Sequence, residues 1–156
     1  MSYDIMLFPV GPGQDWYEAF QDYQNDSDGT IEITLRTRQR WQAVCARLVT
    51  EFPTLHVSPG KVSVTVRDDD TGLYIALHSE SAMIEVPYWY AGEQAQEITA
   101  TAFRCARLVE QVTGWKAFDP QLGALVGEMV DASAAAAAMS TTTEQMQRLY
   151  GPGVAR

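Results

Sequence analysis

The sequence predicts an α+β fold in which helices pack on one face of a mainly antiparallel sheet of about five strands. Three segments repeat apolar residues at helical spacing, and five short segments are either continuously apolar or alternate apolar with polar residues. Their order along the chain is β-α-α-β-β-β-α-β, and the short links between the middle strands favour antiparallel neighbours. Because each helix offers one apolar stripe and the sheet one apolar face, stacking the two buries both.

The first two elements come early in the chain. Residues 3–9 predict a strand whose Ile5–Phe8 run is apolar throughout, which is typical of a central strand covered on both faces. A Gly-Pro-Gly turn ends that strand at residues 11–13. Residues 14–23 predict a short helix, since Trp16, Phe20 and Tyr23 follow the i, i+4, i+7 spacing of one helix face.

The second helix and a three-stranded meander follow. Residues 37–52 repeat apolar residues at helical spacing, with Thr37 as the candidate N-cap and Pro53 as the stop. Strands are predicted at 62–66, 73–77 and 83–86, joined by tight polar turns.

The last part of the chain predicts one more helix, one more strand and a tail. Residues 92–113 form the helix, with Gly114 in the position expected just past a helix end. Residues 115–118 form the strand. We expect residues 1–126 to make a single α+β domain and the alanine-rich segment 127–156 to be a helical or mobile tail.

Charge restricts the kinds of partner. Twenty Asp and Glu residues against eleven Lys and Arg give a net charge of −9 and a pI near 4.5. Such a surface disfavours nucleic acid, whose phosphates require Lys and Arg, and an anionic membrane, but it suits a basic protein. No apolar run approaches the roughly 18–20 residues of a membrane span, and the N-terminus lacks a basic signal region. We therefore expect a cytoplasmic protein.

Metal-binding patterns are incomplete. His56 and His78 are the only histidines, and neither has a second ligand at metal-binding spacing. The Asp26–Gly29 segment is similar to part of a calcium loop, but Gln24 and Leu35 occupy two positions that require acidic ligands. We expect no metal.

Catalytic and cofactor patterns are also missing. There is no G-x-S-x-G motif, and Cys45 and Cys105 lie on the apolar faces of predicted helices, where they are typical core residues. The glycines at 11 and 13 lack the spacing and the lysine of a phosphate-binding loop. We therefore expect no catalytic residue and no cofactor.

Two segments are candidates for a partner-binding surface. Three aspartates crowd a hairpin tip at 68–70, and three aromatic residues follow one another at 88–90. Aspartates are also common in turns, and the aromatics could plug the edge of the sheet. Exposed aromatics beside carboxylates form binding hot spots, and residues 15–32 add six acidic residues and no basic one. The candidate binding residues are Asp26, Asp28, Asp68, Asp69, Asp70, Tyr88, Trp89 and Tyr90.

Several short motifs resemble those of a loose group of small, uncharacterised bacterial proteins. The N-terminal strand begins Met1-Ser2-Tyr3-Asp4, the middle helix contains Trp41 and ends at Phe52-Pro53, and the last strand runs into Asp-Pro-Gln-Leu-Gly at 119–123. Several members of such groups are suspected immunity proteins for polymorphic toxins. The resemblance implies a binding role and no catalytic residues.

Three functional hypotheses follow. The first is a cytoplasmic protein-binding module, an immunity protein that neutralises a basic toxin through an acidic, aromatic surface. The second is an enzyme or small-molecule-binding domain with a cleft between sheet and helices, using Tyr74, His78, Glu85 and the Asp68–Asp70 tip. The third is a self-associating protein whose tail helix docks on a neighbouring subunit.

Overall fold

A seven-stranded antiparallel sheet and four α-helices make up the part of the chain, residues 1–25 and 30–151, that the computed structural model describes. The α+β class is therefore confirmed. The elements are β1 (Ser2–Phe8), α1 (Trp16–Asn25), α2 (Leu35–Glu51), β2 (His56–Pro59), β3 (Val64–Arg67), β4 (Tyr74–Leu77), β5 (Ala82–Pro87), α3 (Gly92–Thr113), β6 (Lys116–Asp119), β7 (Ala124–Leu125), a 3-10 turn (Val126–Glu128) and α4 (Ser133–Tyr150).

The sheet has two more strands than predicted, in the order β2-β3-β4-β5-β1-β6-β7. The two missed strands are its edges. β2 is exposed at all four residues and so has no apolar alternation, and β7 is only two residues long. β1 lies between β5 and β6, which confirms that its apolar run belongs to a central strand.

The prediction that all helices lie on one face is wrong for α1. α2 and α3 pack on the face that carries Tyr3, Ile5 and Leu7, where the main core is formed. Alternation along β1 turns Phe8 to the opposite face, where Phe118 and Phe20 of α1 join it. The Phe20 and Phe118 ring centroids are 4.5 Å apart. Apolar residues on both faces of β1 thus require a helix on each side.

Helix ends follow local capping chemistry. α3 spans the predicted residues, and Gly114 ends it with a positive φ of 73° while donating its N–H to the Glu110 carbonyl at 2.8 Å. α2 begins earlier than predicted, because its N-cap is Thr34, whose hydroxyl accepts the Thr37 N–H at 3.2 Å.

The tail contains a long helix that packs on its own chain. α4 contacts α3, and its Ala135 and Met139 are completely buried in the main core. The Ser140 hydroxyl accepts the N–H of Gly92, the first residue of α3, at 2.9 Å. The division of the chain at residue 126 stays a prediction. None of the described helices combines the length and apolar character that a membrane span needs.

The motifs at residues 1–4 and 119–123 meet in the structure. The Tyr3 hydroxyl donates a hydrogen bond to the buried Asp119 carboxylate, which also accepts the N–H of Leu122 at 3.1 Å. The Gln121 amide nitrogen, in the orientation that satisfies its neighbours, donates to the Asp4 carbonyl at 2.8 Å. These contacts tie the turn after β6 to the start of β1, so both motifs have a structural role.

Candidate functional site

The Asp68–Asp70 tip and the Tyr88–Tyr90 segment come together at one end of the sheet. The Tyr90 hydroxyl donates to the carbonyl of Thr71, in the β3–β4 turn, at 2.6 Å. The Trp89 indole lies over Gly72 of the same turn, since a Cβ built on Gly72 would be 2.9 Å from the indole Cζ3. Two segments that are 16 or more residues apart in the chain therefore form one surface, which we call the acidic–aromatic end.

Asp68 shapes the turn. Its carboxylate accepts the N–H groups of Asp70 at 2.9 Å and Thr71 at 3.2 Å, and the hydroxyl of Thr54 at 2.7 Å. Partial burial of the carboxyl acts to raise its pKa, but these hydrogen bonds outweigh burial, so the pKa of Asp68 is lowered. Asp68 is therefore an ionised group used within its own turn.

Asp70 differs from its two neighbours in its contacts. Asp69 forms an exposed ion pair with Arg67 at 3.0 Å. Asp70 lines a depression of about 410 Å³ together with Trp89, Tyr90 and Gln94. Within residues 1–25 and 30–151, no salt bridge is formed by Asp70. Asp70 is thus a carboxylate beside the exposed Trp89 ring and the half-buried Tyr90 ring.

The exposed Trp89 and the half-buried Tyr90 are held in defined positions. Trp89 is 40% exposed, and its ring centroid is 6.5 Å from that of Tyr90 at an interplanar angle of 44°. Tyr90 is half-buried and fixed through its hydroxyl, while Trp89 rests on the glycine that leaves room for it. Glycine suits this position for two reasons: it adopts the φ of +73° without strain, and its lack of a side chain leaves room for the Trp89 ring.

Tyr88 does not contribute to this surface. Its side chain is 8% exposed and packs in the main core. Burial, then the charges of Asp4 and Asp119, raise its pKa, while a hydrogen bond with Thr142 of α4 acts against that rise. Tyr88 and Trp89 lie in the turn that follows β5, and this turn buries the Tyr88 side chain and leaves Trp89 exposed.

The acidic segment around α1 lies elsewhere. Asp22 and Tyr23 line a depression with Phe8 and Glu80 at the C-terminal end of β1, whereas the acidic–aromatic end adjoins the N-terminal end of β1. The predicted single patch that includes α1 is therefore not formed by the described part of α1. Asp26 and Asp28 lie outside the described residues.

The residues proposed for an enzyme are only partly brought together. Tyr74 pairs with Glu85, and Glu85 pairs with Asp4 on the other side. Partial burial, followed by the charge of Asp4, raises the pKa of Glu85. His78 lies four residues along the chain from Tyr74, roughly 13 Å at the usual rise of a strand.

The predicted cleft between sheet and helices is occupied by side chains. Trp41, Leu48 and Ile75 are each completely buried there, and the Trp41 indole donates to the His78 carbonyl at 2.8 Å. Among the residues that the structure describes, no three His, Cys, Asp or Glu side chains are grouped closely enough to hold a metal ion. Cys45 and Cys105 are buried free thiols, and burial raises their pKa values to about 11 and about 12.

Sequence reasoning missed a groove beside the edge strand β2. Arg38, Gln42 and Cys45 of α2 face Val57 and Pro59 of β2 across a depression of about 210 Å³. The available signal was the distribution of charge, because α2 contains four arginines in a chain whose net charge is −9.

No protein-family model, no curated protein and no solved structure matches this chain. The resemblance to suspected bacterial immunity proteins stays a prediction.

Proposed function

We propose that this chain is a cytoplasmic protein-binding module that holds a cationic side chain of a basic partner at the acidic–aromatic end. The carrying observation is the placement of the Asp70 carboxylate beside the exposed Trp89 ring and the half-buried Tyr90 ring. The role that best fits this chemistry and the sequence resemblance is an immunity protein that neutralises a basic toxin.

The chemistry supports a Lys or Arg as the residue recognised. A cation within about 6 Å of an indole ring gains roughly 0.5–1 kcal/mol when exposed and about 2 kcal/mol when desolvated. A carboxylate beside the ring adds a charged hydrogen-bond acceptor for the same group. Trp89 and Asp70 line one depression and can therefore contact one cation together.

The fixed positions of the two rings also favour binding. A partner pays less conformational entropy when the receiving side chains are already fixed. Tyr90 is fixed by its hydrogen bond to Thr71, and Trp89 is seated on Gly72. Trp and Tyr are the residue types most enriched among binding hot spots.

The net charge supports a basic partner at longer range. A charge of −9 attracts a cationic protein and raises its association rate at low salt. Affinity for such a partner is expected to fall as salt is added, mainly through slower association.

Affinity capture from the native cell tests the proposal. Tagged wild-type protein is compared with Trp89→Ala and Asp70→Asn, and with Tyr17→Ala as a matched control, because Tyr17 is an aromatic residue of similar exposure (52%) on α1. We expect a basic protein to be retained by wild type and Tyr17→Ala. Trp89→Ala should weaken its binding about 30-fold, the equivalent of a hot spot of about 2 kcal/mol.

Neutralisation is the second readout. The captured partner is expressed in a host with each variant, and growth is measured. Rescue by wild type and Tyr17→Ala, with reduced rescue by Trp89→Ala, is the expected pattern. Equal rescue by all variants, or a captured partner that is acidic, would show that the acidic–aromatic end is not the binding surface.

A further inference from the structure

We infer that the free edge of β2 is a docking site for an extended, acidic segment of a partner protein, which adds to the sheet beside β2. Addition of a strand to a sheet edge is a common mode of peptide recognition, in which main-chain hydrogen bonds supply affinity and side-chain pockets supply specificity. This site is separate from the acidic–aromatic end and does not depend on the function proposed for that end.

The hydrogen-bonding pattern directs the N–H and C=O groups of Val57 towards the outer edge of β2. The Asp68 N–H donates to the Leu73 carbonyl at 2.9 Å, which identifies these opposite residues as a hydrogen-bonded pair. Alternation along β3 then turns its even-numbered residues towards β4 and its odd-numbered residues towards β2. Val57 lies opposite Val66, so its own N–H and C=O point away from β3. Among the described residues, no strand pairs with β2 on that side.

A side-chain pocket lies next to this edge. Val57 is 40% exposed and faces the same side of the sheet as the buried Val66. The opposite wall is one face of α2, formed by Arg38, Gln42 and Cys45 at i, i+4 and i+7. The depression of about 210 Å³ between them has room for an aliphatic side chain from an added strand.

The charged side chain that lines the groove is basic, opposite in sign to the net charge of the chain. Residues 33–66 contain a single acidic residue, Glu51, which forms an ion pair with Arg104. The same stretch contains five of the eleven Lys and Arg residues. Arg38 lines the groove and donates to the Gly60 carbonyl at 3.0 Å, next to Lys61. Two of the five make contacts elsewhere, since Arg40 lies over the Trp115 ring at 5.4 Å and Arg47 donates to Gln111 at 2.7 Å. The two that concern the groove are Arg38 and Lys61.

This charge selects a partner segment over a second copy of the chain. Pairing β2 with the β2 of another copy would bring two sets of Arg38 and Lys61 to one interface, where like charges repel. An acidic segment meets the same cations favourably. Because residues i and i+2 of a strand share a face, the matching segment has an aliphatic residue over the groove and acidic residues two positions before and after it.

A peptide titration of the full chain tests the inference. The probe is the capped heptapeptide Thr-Glu-Thr-Val-Thr-Glu-Thr, which reads the same in both strand directions and places Glu-Val-Glu on one face. The control peptide replaces each Glu with Lys. We expect saturable binding of the acidic probe, with amide NMR shifts confined to β2 and the facing side of α2, and binding of the lysine peptide at least 10-fold weaker.

Two pairs of variants locate the contact. Val57→Pro removes the outward N–H and should weaken the acidic peptide at least 10-fold, whereas Val57→Thr keeps the N–H and should change the affinity less than 3-fold. Arg38→Ala should weaken binding about 5-fold, while Arg36→Ala, which removes an exposed arginine two residues away that does not line the groove, should have less effect. The arginine pair keeps the test decisive if Val57→Pro does not fold.

Several results would overturn the inference. One is a dissociation constant above about 1 mM for the acidic peptide, and another is equal affinity for the acidic and the lysine peptides. Amide NMR shifts that cluster around Trp89, or an unchanged affinity of Arg38→Ala for the acidic peptide, would also contradict it. A doubled mass of the protein alone in light scattering, lost in Val57→Pro, would assign the edge to a second copy instead.

Discussion

Replacing Tyr3 with Phe tests the contact that joins the start of β1 to the turn after β6. The substitution removes only the hydroxyl that donates to the Asp119 carboxylate, and both residues are buried, at 1% and 0% exposure. A hydrogen bond to a charged group contributes about 1.5–3 kcal/mol, and its loss leaves a buried acceptor unsatisfied. For a domain of this length we expect the melting temperature to fall by roughly 3–12 °C.

The effect of this substitution should depend on pH. Burial raises the pKa of Asp119 above its ordinary value of 3.8, while the hydrogen bond from Tyr3 acts in the opposite direction. The folded state therefore holds the proton more tightly than the unfolded state, and the contribution of Asp119 to stability falls as the pH rises through its raised pKa. Without the hydroxyl the pKa rises further, so Tyr3→Phe should destabilise the protein more at about pH 8 than at about pH 4.

Urea unfolding followed by circular dichroism at both pH values is the assay. Tyr17→Phe, at a half-exposed tyrosine on α1, is the matched control and should change the free energy of unfolding by less than about 0.5 kcal/mol. Asp119→Ala and the double variant complete a mutant cycle. Additive effects of Tyr3→Phe and Asp119→Ala, or a Tyr3→Phe effect as small as that of the control, would refute the role given to this hydrogen bond.

Two further substitutions, each compared with a control variant, test the packing. Gly72→Ala should lower the free energy of unfolding by about 1–3 kcal/mol, because alanine is strained at the positive φ of this position. The added Cβ would also displace the Trp89 ring and change the tryptophan fluorescence. The control is Gly123→Ala, with a φ of +61° and no atom within 4 Å of the added Cβ, which should be destabilised without the change in fluorescence. Unchanged fluorescence in Gly72→Ala would place the ring elsewhere. Thr143→Val should stabilise the protein by about 1 kcal/mol, because the buried Thr143 hydroxyl has no partner among the described residues. The control is Thr99→Val, because the Thr99 hydroxyl is equally buried but donates to the Ala95 carbonyl at 2.6 Å. This variant should not be more stable than the wild type. Equal free energies of unfolding for the two valine variants would contradict this distinction.

Long elements with a repeated apolar pattern were predictable, whereas elements without one were not. α3 was placed correctly because its apolar stripe, from Ala95 to Val109, runs for about four turns and Gly114 ends the helix. β2 has four exposed residues, one of them proline, and so offers no alternation to recognise. α1 was recognised as a helix, but nothing within its own stripe indicates which face of the sheet it covers.

The candidate surface shows the same division. The turn chemistry at Asp68 follows from a local rule, namely side-chain capping of a turn. The exposure of Trp89 does not follow from strand alternation, because Tyr88 and Trp89 lie in a turn after β5. That Trp89 rests on Gly72 depends on the pairing of β4 with β5, which sets two segments distant in sequence side by side.

Composition, charge and periodicity are properties of the chain read in order, and they were sufficient for the α+β class, the acidic character and the main helices. Register is a property of two segments at once, because a shift of one residue in pairing turns every side chain to the other face. For this reason only the folded chain brings Tyr3 to Asp119 and Asp70 to the Trp89 ring. It also turns the N–H of Val57 to an edge, beside Arg38, with which no described strand pairs.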